Sequence, residues 1–275
     1  MASNTNERSD HFFKLHMRPD ASQSKVGKGS CPNNVGKSIL TQKYPLCFDK
    51  NNNTLYQCTE RYVHTNLLDP NHNIKNYDII GCPGCYPTSV LLPLVPLVKS
   101  KSINVKNIII DSKSGYSGAG RGVHKKYQKK NLYESLSAYG LGFHRHNSEI
   151  DQELRNYIKS NIEFTFTPHL TPMFRGILST IYVDLKSGFS VKRIEKILKQ
   201  FYKKSRFVKI LKNDSLISTN NVINTNNCFI SVCKTKYKNK IIILSAIDNL
   251  IKGGAGQAIQ NMNLLYKFSE TSGLK

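Results

Sequence analysis

Apolar residues in this chain fall into short blocks with different spacings, and the blocks begin only after about residue 60. Tyr77 to Ile80 is a brief apolar run entering a Gly-Pro turn, and Ser89 to Val98 (SVLLPLVPLV) predicts a buried helix. Pro93 inside that helix should weaken or kink it, by roughly 3 kcal/mol. Val105 to Asp111 (VKNIIID) predicts a buried strand, and Phe164–Thr167 and Gly176–Leu185 two more, the last with clear alternation. Ser148–Ser160 predicts a helix with Ser148 as N-cap and Glu149 and Asp151 in the first turn, where the helix dipole favours them. Val191–Lys204 places Ile194, Ile197, Leu198 and Phe201 on one helical face, leaving Lys192, Lys196 and Lys199 to solvent. Phe207–Leu211, Cys228–Lys234 and Lys240–Ala246 follow as strands, and Ala255–Phe268 as a helix after the Gly253-Gly254 pair. There is no βαβαβ series. The pattern therefore predicts an α/β (α+β) domain over residues 61–275, with one mixed, largely antiparallel sheet and helices on one face.

Residues 1–60 are dominated by Ser, Asn, Lys and Gln and read as a degenerate or disordered segment. Gly36-Lys37-Ser38 is not a phosphate loop. That motif needs glycine at position 31, where Cys31 stands, and no apolar strand precedes it.

Charge changes the picture little. The 275 residues carry 40 Lys and Arg against 18 Asp and Glu, a net charge of +22. The lysines are spread along the whole chain, often in pairs such as Lys125-Lys126 and Lys203-Lys204, with no nucleic-acid-binding motif among them. No specific nucleic-acid partner is expected. The longest apolar stretch, Val90–Val98, is too short to span a bilayer and holds Pro93 and Pro96. The N-terminus, MASNTNERSD, has no apolar signal core. Seven cysteines at irregular spacing, with Cys82 and Cys85 the one C-x-x-C, point to a reducing, cytoplasmic setting without a metal site.

Five segments could carry chemistry. In GCPGCYPTSV, Cys85 follows a Gly-Pro turn just before a helix, where backbone N–H groups and the dipole favour a thiolate. DSKSGYSGAGRG, Asp111 to Gly122, combines Gly, Ser and Arg121 in a loop that could cradle an anion. AYGLGFHRHNSEI sets His144 and His146 around Arg145 with Glu149 close behind, a group titrating near neutrality beside a carboxylate. Read as strand, it would put both histidines on one face. In TPHLTPMFRGIL, Pro168 and Pro172 stiffen a turn holding His169 and Arg175. DNLIKGGAGQAIQNMNLL is a polar turn entering a helix, of the kind that suits a bound anion or cofactor amide.

Together, in this order, the five segments resemble N-acetyl-gamma-glutamyl-phosphate reductase, related to the aspartate-semialdehyde and glyceraldehyde-phosphate dehydrogenases. The resemblance covers about residues 60–275 and implies the catalytic domain of that fold. It implies Cys85 as nucleophile, His144 as acid/base with His146 in reserve, and Glu149 as orienter. Ser114, Ser117, Arg121, His146 and Arg175 become candidates for the substrate, and Asn249 for the nicotinamide amide of NADP. The implied reaction is NADPH-dependent reduction of an acyl phosphate through a Cys85 thioester, in arginine biosynthesis, by a homo-oligomer. The chain departs from the family at Cys82, where Asn is usual, at Ser148, where Pro is usual, and at Pro93. No G-x-G-x-x-G loop occurs in residues 1–80, so the dinucleotide-binding domain is expected to be absent or degenerate. The last helix would then leave its apolar face uncovered. The alternatives are an inactive remnant of such an enzyme and a basic nucleic-acid-binding protein.

Overall fold

In the computed structural model the described residues are 60–62, 79–119, 134–158 and 161–275; most of residues 1–60, and Arg121, lie outside them. The chain divides into two compact units. Of the described residues, the first unit holds two short parallel strands, β1 (Glu60–Tyr62) and β2 (Ile79–Gly81), ending at Cys82. The second holds Pro83–Lys275.

The second unit is built on a seven-stranded sheet. Its strands are β3 (Ile108–Gly115), β4 (Ser137–Ala138), β5 (Phe164–Thr171), β6 (Ile177–Asp184), β7 (Val208–Ile210), β8 (Cys228–Lys234) and β9 (Lys240–Ile247). They lie in the order β4-β5-β3-β6-β9-β8-β7. Only β3–β5 and β7–β8 are parallel, so the sheet is mixed and largely antiparallel. Alternation sets its faces: Ile177, Ser179, Ile181 and Val183 of β6 turn inward. There they meet helices α1 (Cys85–Lys99), α2 (His146–Arg155) and α3 (Val191–Phe201) in one apolar core. A smaller cluster of Ile217, Val222 and Ala246 covers part of the other face.

Helix α1 begins four residues earlier than the apolar run suggests and passes straight through its prolines. Pro87 is harmless because first-turn N–H groups have no partner within a helix. Pro93 and Pro96 are internal, and every residue from Tyr86 to Val98 is buried, so packing on all sides holds the helix despite them. Pro96 leaves the carbonyl of Leu92 without its helical donor, and the buried Tyr202 hydroxyl at the end of α3 donates to it at 2.5 Å. Tyr202→Phe should therefore strand a buried acceptor and lower stability by about 1–3 kcal/mol in urea unfolding. A change within the error of the measurement would contradict this account of how α1 tolerates Pro96.

Strand β5 also runs further than expected. Pro168 and His169 lie within it, and the turn falls at residues 172–176. The N and carbonyl of one strand residue face the same neighbour. Pro168 accepts from the Tyr139 N–H on the β4 side, so its missing N–H falls where that short pairing ends. The last helix, α4 (Gly256–Leu265), inverts the usual pattern. Gln257, Gln260, Asn261 and Asn263 are buried, while Ile259, Met262, Leu264 and Leu265 are half-buried rather than bare.

Candidate active site

Cys85 is the first residue of α1, half-buried, with Gly84 as N-cap. Burial pushes its thiol up to about 11. The Tyr86 backbone N–H and the Arg145 guanidinium pull the other way, and the Glu149 carboxylate adds to the rise. The helix N-terminus alone therefore does not ionise this cysteine at neutral pH, and a thiolate here would need a neighbouring base.

His146 stands beside Gly84, the residue before Cys85. Its ring packs on the bare Cα of Gly84, where an added Cβ would lie 2.4 Å from His146 Nε2. His146 Nε2 is 3.9 Å from one oxygen of Glu149, whose other oxygen accepts the Gly84 N–H at 2.7 Å. A single carboxylate thus ties the start of α2 to the start of α1, beside Cys85. His144 stands differently. Its ring meets Tyr86, Tyr139 and Phe166 edge-on, with centroids 5.4–5.6 Å away. Its Nδ1 accepts the His146 backbone N–H at 3.2 Å, which leaves the proton of the neutral ring on Nε2. Burial, helped by Arg145, lowers His144 to about 4.

The two histidines do not share a strand. The chain turns at Gly140 and Gly142, both with positive φ, and α2 starts at His146 itself. Ser148 is not the N-cap either: Arg145 takes that position, and the Ser148 hydroxyl donates back to the Arg145 carbonyl at 2.9 Å.

A second cluster forms around Asn249. Its Nδ2 donates to Ser117 Oγ at 3.0 Å, and its Oδ1 accepts the Gly176 N–H at 2.6 Å. Gly118 lies beside it, with no side chain to fill the space near the amide. Arg175 pairs with the fully buried Asp248 at 3.5 Å and donates to Asn224. Ser114 is buried, and its hydroxyl donates to the Gly115 carbonyl. The turn Ile251–Ala255 joins the two clusters: Gly253 donates to the Asp248 carbonyl at 2.9 Å and packs on Cys85. A Cβ on Gly253 would come within 2.7 Å of Cys85 Cβ, so Cys85 sits where only glycine can oppose it.

Sequence reasoning missed Gly84, Asp248 and Gly253 as parts of the site. The Gly253-Gly254 pair was visible but read as punctuation; nothing in the spacing showed that it faces Cys85. Among the described residues Cys82, Cys85, Cys228 and Cys233 form no disulfide, and no group of three or more His, Cys, Asp or Glu side chains could hold a metal ion. None of the described helices is long and apolar enough to cross a membrane.

The fold has solved counterparts. Aspartate semialdehyde dehydrogenase II of Vibrio cholerae superposes with a TM-score of 0.56 at 14% identity, over 70% of this chain and 64% of that one. The Francisella tularensis aspartate semialdehyde dehydrogenase gives 0.56 at 15% identity, over 74% of this chain and 70% of its own. Residues 85–249 match the family of the semialdehyde dehydrogenase dimerisation domain, and this is the class that the sheet, the helices and the cysteine at the start of α1 define. Sequence relatives narrow it. The N-acetyl-gamma-glutamyl-phosphate reductase of Staphylococcus aureus is 37% identical over 93% of this chain and 78% of its own length. That of Desulforamulus reducens is 44% identical over 81% of this chain and 62% of its own, and the probable chloroplastic one of Arabidopsis thaliana 45% over 74% and 50%. The chain belongs to the N-acetyl-gamma-glutamyl-phosphate reductase family. It spans about half to two thirds of the length of the last two relatives. The Staphylococcus aureus match is long enough to reach into the first 60 residues, where the apolar pattern gave no guidance.

Proposed function

We propose that this chain performs the cysteine chemistry of N-acetyl-gamma-glutamyl-phosphate reduction, a step of arginine biosynthesis, in the cytoplasm. The observation that carries the reading is the Glu149 bridge, which puts an imidazole beside a nucleophile at a helix N-terminus. His146, rather than His144, takes the proton from Cys85. The sulfur attacks the acyl carbon, the carbon–oxygen bond to phosphate breaks, and a thioester remains on Cys85. Bound NADPH supplies hydride for the carbonyl carbon. His146 then returns its proton as the carbon–sulfur bond breaks and the semialdehyde leaves. Gly253 and the buried wall around Cys85 exclude water that would hydrolyse the thioester.

Asn249 fits the nicotinamide amide in chemical type, since it can both donate and accept, and Gly118 leaves room beside it. Ser117 and Arg175 flank Asn249 directly and through Asp248, and with Ser114 they serve the substrate's charged ends. Arg121 takes the same role from the family motif alone. A homo-oligomer is part of this reading. The family's domain is a dimerisation domain, and the face of the sheet away from the helices shows Ile109, Leu178, Tyr182 and Ile242 at least partly exposed. Phosphate-dependent reduction of NADP+ with N-acetyl-glutamate semialdehyde tests the function. Turnover that requires phosphate is the expected result, and phosphate-independent turnover would contradict an acyl-phosphate product.

A further inference from the structure

Lys252 is the largest fully buried side chain in the described part of the chain, and neither the proposed reaction nor the packing requires an amine there. Its Nζ donates to Gln260 Oε1 at 2.6 Å and lies 5.6 Å from the centre of the Phe207 ring. Gln260 in turn donates to the Glu270 carboxylate at 2.7 Å and accepts from Asn226 at 2.9 Å. The titratable groups facing the amine are the Cys228 thiol and Glu270. Burial lowers Lys252 to about 7, against the pull of those two groups. A methionine would fill the same space without desolvating a charge, so the amine is a cost to the fold. Its place in the chain gives that cost a use. Lys252 is the second residue of the turn Ile251–Ala255, and its neighbour Gly253 is the group packed on Cys85.

We propose that Lys252, anchored through Gln260 to Glu270, is a positioning residue that clamps the turn Ile251–Ala255 against the nucleophile. The clamp runs from the half-buried Glu270 through the amide-lined face of α4 to the wall of the active site. Of the buried amides on that helix, Gln260 carries the polar chain from Glu270 to Lys252, which an apolar residue there could not, while Asn263 donates to the Glu270 and Ser272 carbonyls and holds the segment beside it. The proposal rests on Cys85 being the nucleophile.

The test is the rate of iodoacetamide alkylation at Cys85, followed by peptide mass mapping in the full chain with Cys233 as internal reference. A clamp predicts that Lys252→Met folds at least as stably as wild type, yet alkylates at Cys85 about fivefold faster or more, because the turn no longer covers it. Turnover should fall ~10–100-fold, as misplacement of a catalytic wall by about an ångström does. A folded Lys252→Met protein with unchanged Cys85 alkylation overturns the proposal. Should Lys252→Met fail to fold, Glu270→Gln decides: a smaller rise in the same direction supports the clamp, and none overturns it. Failure of the nucleophile assignment would appear separately, as turnover surviving Cys85→Ser.

Discussion

Cys85→Ser abolishes turnover, with kcat falling ~10⁴-fold or more, while the unfolding temperature stays close to that of wild type. The hydroxyl fits the space of the thiol at the start of α1 and still meets the Tyr86 N–H, so the fold has little reason to notice. The chemistry does. A serine hydroxyl is a far weaker nucleophile at its own pKa, and an ester holds its alkoxide more tightly than a thioester holds its thiolate. Phosphate-dependent NADP+ reduction alongside thermal unfolding measures both halves of the expectation. A Ser variant that keeps more than about a tenth of wild-type turnover would remove Cys85 from the reaction.

His146→Asn lowers kcat by ~10²–10⁴-fold, the range for loss of a general acid/base, and His144→Asn lowers it much less. The difference comes from placement. His146 lies on Gly84 and beside Glu149, whereas the half-buried His144 packs edge-on against Tyr86, Tyr139 and Phe166 and uses Nδ1 to accept a backbone N–H. A larger loss from His144→Asn, or an acid limb of kcat/KM near pH 4, would return the acid/base role to His144. His144 has a separate signature in stability. The folded protein keeps it neutral down to about 4, while an unfolded histidine binds its proton near ~6.5. Between those values the unfolded chain holds more protons, so His144 weakens the fold as pH falls from about 6.5 to 4. His144→Phe should flatten that part of the stability profile.

Much of the second unit was legible because its signals are local. The alternation in ILSTIYVDL gave β6 to within a residue or two, and the amphipathic run from Val191 gave α3. The class of sheet followed from the absence of a βαβαβ series. What failed was decided by tertiary contacts. Pro93 sits in an unbroken helix because burial outweighs propensity, and Pro168 in a strand because its missing donor faces a neighbour that ends there. The backbone of the His144–His146 segment was left open by the sequence, because it is a turn between two positive-φ glycines running into a helix start, with no periodic signal.

The candidate site was read by a different route. Five short motifs in family order named Cys85, both histidines, Glu149 and Asn249, and the structure brings Cys85, His146 and Glu149 to one place and Ser117 and Asn249 to another. Lys252 could not have been found this way. A lysine beside a glycine pair reads as solvated, and only the packing of α4 and of the segment around Glu270 shows it buried. The same holds for Gly253, whose partner lies 168 positions away in the chain, with no periodic signal linking the two.

The central claim is that Cys85 takes the acyl group from phosphate. It is tested most directly without cofactor, by mixing the protein with N-acetyl-glutamyl phosphate, quenching in acid and mapping the adduct by mass spectrometry while measuring released phosphate. The account predicts about one phosphate per site in a rapid burst and an acyl adduct on the Cys85 peptide, absent in Cys85→Ser. An adduct on another residue, or phosphate release from the folded protein with Cys85 left unmodified throughout and no slower in Cys85→Ser, would contradict it.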